Sequence, residues 1–215
     1  MGVYQGNSIP IYLRCRYVFD FLAALVILVL AMPVMLVVSI LIALDGGSII
    51  FRQTRLGVAG KKFEIYKFRS MIENADDYLT VDGQVIVDRV TLVGKIIRKT
   101  SIDEMPQLIN ILRGEMAIIG PRPILPKMLP YMTEFEKKRF NARPGITGLA
   151  QVNGRNNAKW SERFLMDVKY IDDVGLVLDA KITTKTIKMV LTSADISYDR
   201  NAQEVDDVTS REINL

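Results

Sequence analysis

Residues 21–44 read FLAALVILVLAMPVMLVVSILIAL, an apolar stretch near the start of a 215-residue chain. None of its 24 residues is charged, and Ser39 is the only clearly polar one. A straight α-helix of this length would be roughly 36 Å long, enough to cross the hydrocarbon core of a bilayer. The stretch therefore predicts a membrane-embedded helix, and the rest of the fold has to be arranged around it.

A proline divides this apolar stretch. Pro33 has no N–H group to donate to the carbonyl of Val29, and its ring crowds that carbonyl. The halves 21–32 and 33–44 would each be roughly 18 Å long, which is too short to span a bilayer. We predict a helix that enters one leaflet, breaks at Met32-Pro33 and returns. A single spanning helix is the alternative, because transmembrane helices tolerate proline.

Basic residues flank the stretch on both sides. Arg14 and Arg16 precede it, and Arg52 and Arg55 follow it. Positive charges beside membrane helices prefer the cytoplasmic side. Basic flanks at both ends therefore favour a re-entrant helix with both ends in the cytoplasm.

The composition limits the chemistry that the chain can perform. Its length fits one domain. A hydrophobic share of 49% and a mean hydropathy of +0.19 exclude an intrinsically disordered protein. Histidine is absent, which excludes a histidine base, a Ser-His-Asp triad and a histidine-bearing zinc site. The single cysteine, Cys15, excludes an intrachain disulfide. A net charge of +4 points to an anionic partner, either a phosphate, a membrane surface or a nucleic acid.

The fold class that we predict is α/β in the broad sense, more narrowly α+β and helix-rich. A small β-hairpin is expected from arms at 49–51 and 63–68 around a turn at 57–60. The chain divides into an N-terminal lead (1–16), the helix-break-helix (17–46), a compact cytoplasmic domain (47–193) and a polar, disordered C-terminal tail (194–215).

Three further segments have recognisable patterns. Apolar residues recur at helical spacing in 125–135 and in 182–190, with lysines beside them. These patterns predict amphipathic helices in the lipid interface, and packing against the core is the alternative. Segment 74–88 is acidic and irregular, and we expect it to be a loop.

One pair of adjacent acids is the candidate for the chemistry. Asp103 and Glu104 lie in the segment 98–107, which reads RKTSIDEMPQ. Ser101 and Glu104 have capping-box spacing, and Pro106 belongs near a helix start, so a helix over 101–113 is expected. The positive end of its dipole would keep Asp103 ionised and attract phosphate. The alternative is that both acids only cap the helix.

Basic residues cluster with glycine and proline elsewhere in the chain. Arginine presents a planar donor fork that matches phosphate oxygens, and Gly and Pro fix unusual backbone around it. Rigid turns of this kind suit a diphosphate. A nucleic-acid groove would need aromatic platforms, and aromatics make up only 8% of the chain, so we expect no nucleic-acid partner. The clusters lie at 52–57, 67–71, 120–123 and 143–148.

The order of these motifs resembles that of the bacterial sugar transferase family, the monotopic phosphoglycosyl transferases, in its minimal single-domain form. The resemblance runs from about Arg16 to Ser193. It rests on the motifs FRQTRLG (51–57), FEIYKFRSM (63–71), RKTSIDEMPQ (98–107), NILRGEM (110–116), IGPRP (119–123), RPGITGLAQVNGR (143–155) and LDAKI (178–182), and on Asp167 and Tyr170.

The resemblance implies a reaction. Family members transfer a sugar 1-phosphate from a UDP-sugar to polyprenyl (undecaprenyl) phosphate, release UMP and start a surface glycan at the bacterial inner membrane. In this family an Asp-Glu dyad works with Mg²⁺, which implies that Asp103 is the nucleophile with the metal beside it and that Glu104 assists. Arginines matching Arg98 and Arg122 are expected to hold phosphates. The other substrate- or phosphate-binding candidates are Lys67, Arg69, Arg143 and Gln151.

Two departures and several alternatives accompany this interpretation. Met32 stands where the family commonly has serine before the proline, and Gly175 stands where many members have serine. A membrane glycosyltransferase moving the sugar alone would release UDP instead of UMP. A non-enzymatic membrane adaptor would bind anionic lipid through its basic loops. The expected partners are a UDP-sugar, polyprenyl phosphate and the bilayer, and a homo-oligomer is left open.

Overall fold

The computed structural model describes residues 11–75, 89–154, 158–192 and 207–208, and within them α-helices surround two small sheets. This agrees with the helix-rich α+β class. The acidic segment from residue 76, the first ten residues and most of 194–215 lie outside the described residues. The helices are α1 (Ile11–Leu44), α2 (Leu92–Lys99), α3 (Gln107–Leu112), α4 (Glu134–Lys137), α5 (Leu149–Gly154), α6 (Trp160–Asp172) and α7 (Leu176–Thr192); the strands are β1 (Ile50–Leu56), β2 (Lys62–Phe68), β3 (Ala117–Ile119) and β4 (Gly145–Thr147).

Helix α1 begins earlier than the sequence indicated and runs across the position of the predicted break. It begins at Ile11, inside the segment expected to be a lead, and its helical backbone continues past Met32 and Pro33 to Leu44. A proline can bend a helix without ending it, so the bend at Met32-Pro33 and the return through one leaflet stay predictions. A proline inside a helix costs one hydrogen bond, and packing along the rest of the helix can outweigh that loss. Among the described residues, α1 is the one helix long and apolar enough to cross a membrane.

One stripe of α1 is buried along its whole length. The stripe contacts three parts of the same domain, and most other side chains of 21–44 are exposed although they are apolar. Spacings of three and four residues keep these positions on one face of the helix. The buried residues are Leu13, Arg16, Tyr17, Asp20, Ala24, Ala31, Val38 and Ile42.

Both ends of α1 rest on the same domain. Near its start, Leu13 packs in one cluster with Ala117. Near its end, Ile42 packs in another cluster with Phe68 and Ile97. The domain thus lies along one side of the apolar helix, and neither end projects away from it.

A network of charged and hydroxyl groups fixes the first turns of α1. The Arg16 guanidinium donates to Asp179 Oδ2 on α7 at 2.8 Å and to the Ile119 carbonyl on β3 at 2.7 Å. It also donates to the Tyr170 hydroxyl on α6, and the Tyr12 hydroxyl donates to Asp179 Oδ2 at 2.7 Å. Because the carboxylate and the guanidinium are both buried, each satisfies the other. The start of α1 is therefore tied to three elements of the domain.

The predicted hairpin is confirmed, with a longer first arm than the sequence indicated. Strands β1 and β2 pair antiparallel, with Phe51 opposite Lys67. The turn contains a 3₁₀ segment, Val58–Gly60, in which Ala59 has a φ of +54°. This hairpin carries Lys67 toward the candidate site.

Strands β3 and β4 form a parallel pair whose backbones pass unusually close to the turns that follow them. A Cβ on Gly145 would lie 2.1 Å from the Gly120 nitrogen, and one on Gly148 would lie 2.1 Å from the Gly120 oxygen. Only glycine fits at such distances. Because the strands are parallel, the loop with Arg122 and the turn before α5 lie at the same edge of the sheet.

The apolar pattern at 125–135 does not form one amphipathic helix. It forms a 3₁₀ segment, Pro126–Tyr131, followed by the separate helix α4. Pro130 cannot continue an α-helical hydrogen-bond ladder, which accounts for the division. Met128 and Met132 are buried in the core, so the packing alternative is correct here. On α7, Ile182 is buried while Leu191 is exposed, and an interfacial role for that helix stays a prediction.

Two residues of the segment expected to be a disordered tail, Asp207 and Val208, contact the folded domain. Val208 is fully buried in a cluster that includes Phe140, Phe164 and Met132. Asp207 accepts a hydrogen bond of 3.1 Å from the Ser161 backbone nitrogen in the first turn of α6. These two residues therefore belong to the folded domain.

Candidate active site

The two acids of the dyad lie on a single 3₁₀ turn, Ile102–Glu104, between α2 and α3. Ser101 before it has a φ of +56° and its side chain caps nothing in this turn, so the capping box is wrong. The continuous helix over 101–113 is also wrong, because α3 begins at Gln107 after Pro106. Direct side-chain contacts, and not the dipole of a long helix, therefore set the electrostatics of the dyad.

Glu104 is neutralised by two cations. Its Oε1 atom lies 2.5 Å from Lys67 Nζ and 3.5 Å from Arg122 Nη2. Burial alone would raise the pKa of this carboxyl, but the charges of Lys67 and Arg122 overcome it and lower the pKa to about 2. Glu104 is therefore an anion that the protein itself already pairs.

Asp103 differs from its neighbour in having no direct partner. Among the described residues it makes no hydrogen bond and no ion pair. Burial, and then the charge of Glu104, raise its pKa to about 6, although Lys67 and Arg98 act in the opposite direction. An unpaired carboxylate with a raised pKa is more basic than usual, and it is free to bind a cation or to attack an electrophile.

Three elements bring cations to the dyad. Lys67 is on β2, Arg122 follows β3, and Arg98 is on α2. Arg98 Nε donates to Ser70 Oγ at 2.7 Å. A Cβ on Gly94 would lie 2.0 Å from the Ser70 carbonyl oxygen, so glycine lets α2 pack this tightly.

The side chain of Asn110 aligns β2 with α3. Asn110 is fully buried and its amide pairs with the strand as another strand would. Its Oδ1 atom accepts from the Tyr66 nitrogen at 3.1 Å, and its Nδ2 atom donates to the Glu64 carbonyl at 2.7 Å. This fixes the strand that presents Lys67 to Glu104.

Three of the predicted binding residues, Arg69, Arg143 and Gln151, take no part in the ion pairs of Glu104. Arg69 is buried and donates to the carbonyls of Ile42 and Gly46, where it caps the C-terminal end of α1. The Arg143 guanidinium lies 4.2 Å from the centre of the Tyr17 ring. The amide atoms of Gln151 are buried next to Gly148 and make no hydrogen bond to any residue that the structure describes. Their predicted roles toward a substrate stay predictions.

Arg55 is a further cation beside the dyad that the sequence did not single out as a site residue. Burial, and then the charge of Arg122, lower its pKa to about 10, while Glu104 acts in the opposite direction. Arg55 Nη1 donates to the Pro123 carbonyl at 3.4 Å, beside the Arg122 loop. The sequence feature that could have identified Arg55 is its position in the basic motif 51–57.

The residues present fit a magnesium ion bound mainly by substrate. The described residues contain no group of three or more acids, cysteines or histidines that could enclose a metal. Mg²⁺ commonly takes one or two carboxylates and completes its shell with water and substrate phosphates. Asp103 has no ion-pair partner among the described residues, and the charge of Glu104 helps to raise its pKa. A cation bound to Asp103 would lower that pKa and stabilise the ionised carboxylate.

The sequence that builds this site matches a known class of enzyme. Residues 11–193 match the bacterial sugar transferase family, and the chain is a member of that family. It is therefore an enzyme, a phosphoglycosyl transferase.

Three relatives illustrate the similarity. The uncharacterized sugar transferase EpsL of Bacillus subtilis (strain 168) is 42% identical over 184 residues, which cover 84% of this chain and 89% of EpsL. The exopolysaccharide production protein ExoY of Rhizobium meliloti (strain 1021) is 37% identical, over 87% of this chain and 90% of ExoY. The UDP-N-acetylgalactosamine-undecaprenyl-phosphate N-acetylgalactosaminephosphotransferase of Aeromonas hydrophila is 39% identical, over 85% of this chain and 45% of that protein.

Proposed function

We propose that this enzyme transfers a sugar 1-phosphate from a UDP-sugar to polyprenyl phosphate, releases UMP and so begins the assembly of a surface glycan. The name of the Aeromonas relative supports the donor and acceptor classes, and that of ExoY supports a role in polysaccharide production. The observation that carries the proposal is the asymmetry of the dyad. Glu104 is paired with Lys67 and Arg122, whereas Asp103 is unpaired among the same cations.

The asymmetry suits a double displacement. An Asp103 oxygen attacks the sugar-bearing phosphorus, the bond from that phosphorus to the bridging oxygen breaks, and UMP leaves. An oxygen of the lipid phosphate then attacks the same phosphorus, and the acyl phosphate bond breaks to restore the Asp103 carboxylate. The lipid phosphate is already ionised, so the second step needs no histidine base. Arg98 and Arg122 stabilise the charge on the phosphoryl oxygens.

Magnesium would add to this arrangement. Asp103 would hold it, with Glu104 at its side, and the ion would neutralise phosphate charge as the substrate binds. Glu104 keeps Lys67 and Arg122 beside the reacting phosphate through its ion pairs. Because those pairs already neutralise Glu104, Asp103 remains the more nucleophilic carboxylate.

We further propose a monotopic arrangement at the cytoplasmic face of the bacterial inner membrane. The packing of both ends of α1 on one domain supports it, because a spanning helix would carry one end away from that domain. The exposed apolar side of α1 provides a surface for one leaflet. The dyad would then lie near the headgroup plane, where the lipid phosphate is located.

The experiment that tests the function identifies the released nucleotide. Purified enzyme, Mg²⁺ and a panel of UDP-sugars are mixed with undecaprenyl phosphate, and UMP and UDP are quantified. UMP with one or a few sugars is expected. UDP would indicate transfer of the sugar alone, and no nucleotide with any donor would favour an adaptor.

A second arm tests the covalent step. Without lipid acceptor, the enzyme should give a burst of UMP that is stoichiometric with enzyme, and the peptide holding Asp103 should gain the mass of a phosphosugar. Asp103→Asn should abolish the burst, whereas Glu104→Gln, its matched control, should slow it. Full turnover with lipid but no burst without it would establish direct transfer.

A further inference from the structure

A buried ion pair lies behind the Arg122 loop. Arg139 Nη2 is 2.6 Å from Asp167 Oδ2, and both side chains are 2% exposed. Arg139 belongs to the 3₁₀ segment Lys138–Asn141, and Asp167 belongs to α6. Neither residue contacts the dyad directly among the interactions that the described residues make.

Stability alone is a poor explanation for this pair. Removing two charges from water costs about as much as their attraction returns, and apolar residues of similar volume often replace such pairs without loss. Two aromatic rings lie beside the Arg139 guanidinium, whose carbon is 4.9 Å from the Phe164 ring centre and 5.7 Å from that of Phe140. Asp167 Oδ1 and Arg139 Nε have no hydrogen-bond partner among the described residues, so even the pairing is incomplete.

The pair is connected to the site through one carbonyl group. The same Arg139 Nη2 atom donates to the Arg122 carbonyl oxygen at 2.6 Å. Arg122 extends its own guanidinium to Glu104, but its side chain is 43% exposed and the distance to Oε1 is 3.5 Å. The side chain is thus loosely held, while the backbone from which it projects is fixed from inside the protein.

We infer that Arg139 and Asp167 form a positioning pair for Arg122 in sugar-phosphate transfer. Asp167 orients the Arg139 guanidinium, and Arg139 holds the Arg122 backbone so that its side chain meets the substrate phosphate beside Glu104. The pair acts through Arg122 and makes no contact with the reacting atoms. This inference rests on the proposed function, since Arg122 is taken to bind the phosphate.

A double-mutant cycle on the full-length enzyme tests the inference. The variants are Asp167→Asn, Arg122→Ala and their combination, measured by UMP release under saturating lipid and by thermal unfolding. Displacing a catalytic group by about 1 Å can cost on the order of 100-fold in rate. Asp167→Asn should therefore lower turnover by about 10- to 100-fold in the wild-type background and by less than about 3-fold when Arg122 is already alanine.

An apolar replacement separates positioning from stability. The double variant Arg139→Met with Asp167→Leu should unfold near the wild-type temperature, because it removes both charges together. Its turnover should nevertheless stay as low as that of Asp167→Asn. Recovery of turnover together with stability would overturn the inference, since the pair would then serve packing alone.

The matched control is Asp179→Asn. It removes a buried carboxylate from another arginine, Arg16. Arg16 donates to the backbone carbonyl of Ile119, whereas Arg139 donates to that of Arg122. Asp179→Asn should lower turnover by the same factor with and without Arg122→Ala, because the two residues act independently. The inference would be overturned if Asp167→Asn lowered turnover by the same factor with and without Arg122. It would also be overturned if Arg122→Ala reduced the effects of Asp167→Asn and Asp179→Asn equally. Absence of UMP release by the wild-type enzyme would overturn the proposed function instead.

Discussion

The Nζ atom of Lys67 lies 2.5 Å from Oε1 of Glu104, so the protein neutralises the second carboxylate of the dyad and leaves the first one unpaired. Two neighbouring acids thereby acquire opposite properties. The pKa of Glu104 falls to about 2, and that of Asp103 rises to about 6. The ion pairs that Lys67 and Arg122 make with Glu104 thus divide the roles of pairing and attack between two adjacent acids.

The pH dependence of turnover follows from this division. Asp103 has to be ionised to attack, and its pKa is raised to about 6, so activity should be full well above pH 6, half-maximal near pH 6 and lost as the pH decreases further. Glu104→Gln removes the negative charge that raises this pKa and should move the acid limb to lower pH. Lys67→Met removes a positive charge that lowers it and should move the limb to higher pH. The measurement is kcat/KM for UMP release against pH at constant Mg²⁺, and shifts in the same direction for both variants would contradict the assignment.

Arg122 and Arg69 should respond differently to truncation. Arg122→Ala should lower turnover by roughly 10²- to 10³-fold with little change in unfolding temperature, because it removes a donor to a phosphoryl oxygen. Lysine at this position should restore only part of the rate. Arg69→Ala should instead destabilise the enzyme by about 1–3 kcal/mol, since the carbonyls of Ile42 and Gly46 lose their buried donor. If Arg69→Ala were as stable as the wild type but slower in UMP release, Arg69 would be a substrate-binding residue after all.

Gly94 tests how α2 presents Arg98. Gly94→Ala places a Cβ 2.0 Å from the Ser70 carbonyl oxygen and should push α2 away, lowering both stability and turnover. Alanine is the better helix former by about 1 kcal/mol, so any loss has to come from this clash. Gly175→Ala is the control, because the nearest atom to its Cβ would be 3.9 Å away. Equal behaviour of the two variants in UMP release and thermal unfolding would refute the close packing of α2.

The location of the two ends of α1 can be measured by cysteine labelling. Cys15 is exposed before the apolar stretch, and Asp45 is exposed after it. In intact cells, a membrane-impermeant maleimide should label neither the native Cys15 nor an Asp45→Cys variant that carries Cys15→Ser. Both should react once the inner membrane is permeabilised. Labelling of one site alone in intact cells would demonstrate a spanning helix.

The sequence predicted the parts of the site that depend on local pattern. The hairpin, the dyad and the cation-bearing turns were all visible as motifs. Arg69 was not separable from Lys67, because β2 ends at Phe68 and strand alternation no longer governs the next side chain. Ser101 matched a capping box, yet Glu104 binds Lys67, a contact across 37 positions of the chain that spacing cannot reveal.

Helix α1 shows that tertiary contacts limit prediction in the same way. Pro33 predicts a break from local stereochemistry alone. The helix continues because its stripe packs on the domain on both sides of the proline, as Ala24 and Val38 do. Such contacts involve residues far along the chain, so tertiary packing overrides the local preference. At 125–135 the sequence contained the contrary signal itself, in Pro130.

The burial of Val208 has a consequence for biosynthesis. The apolar helix ends at Leu44, so it can meet the membrane while roughly 160 residues remain to be translated. At the usual speeds of synthesis, roughly ten to thirty seconds pass before Val208 emerges and fills its place beside Phe164. Under the monotopic arrangement proposed above, the nascent chain would lie against the bilayer during that interval while its core beside α6 still lacks Val208.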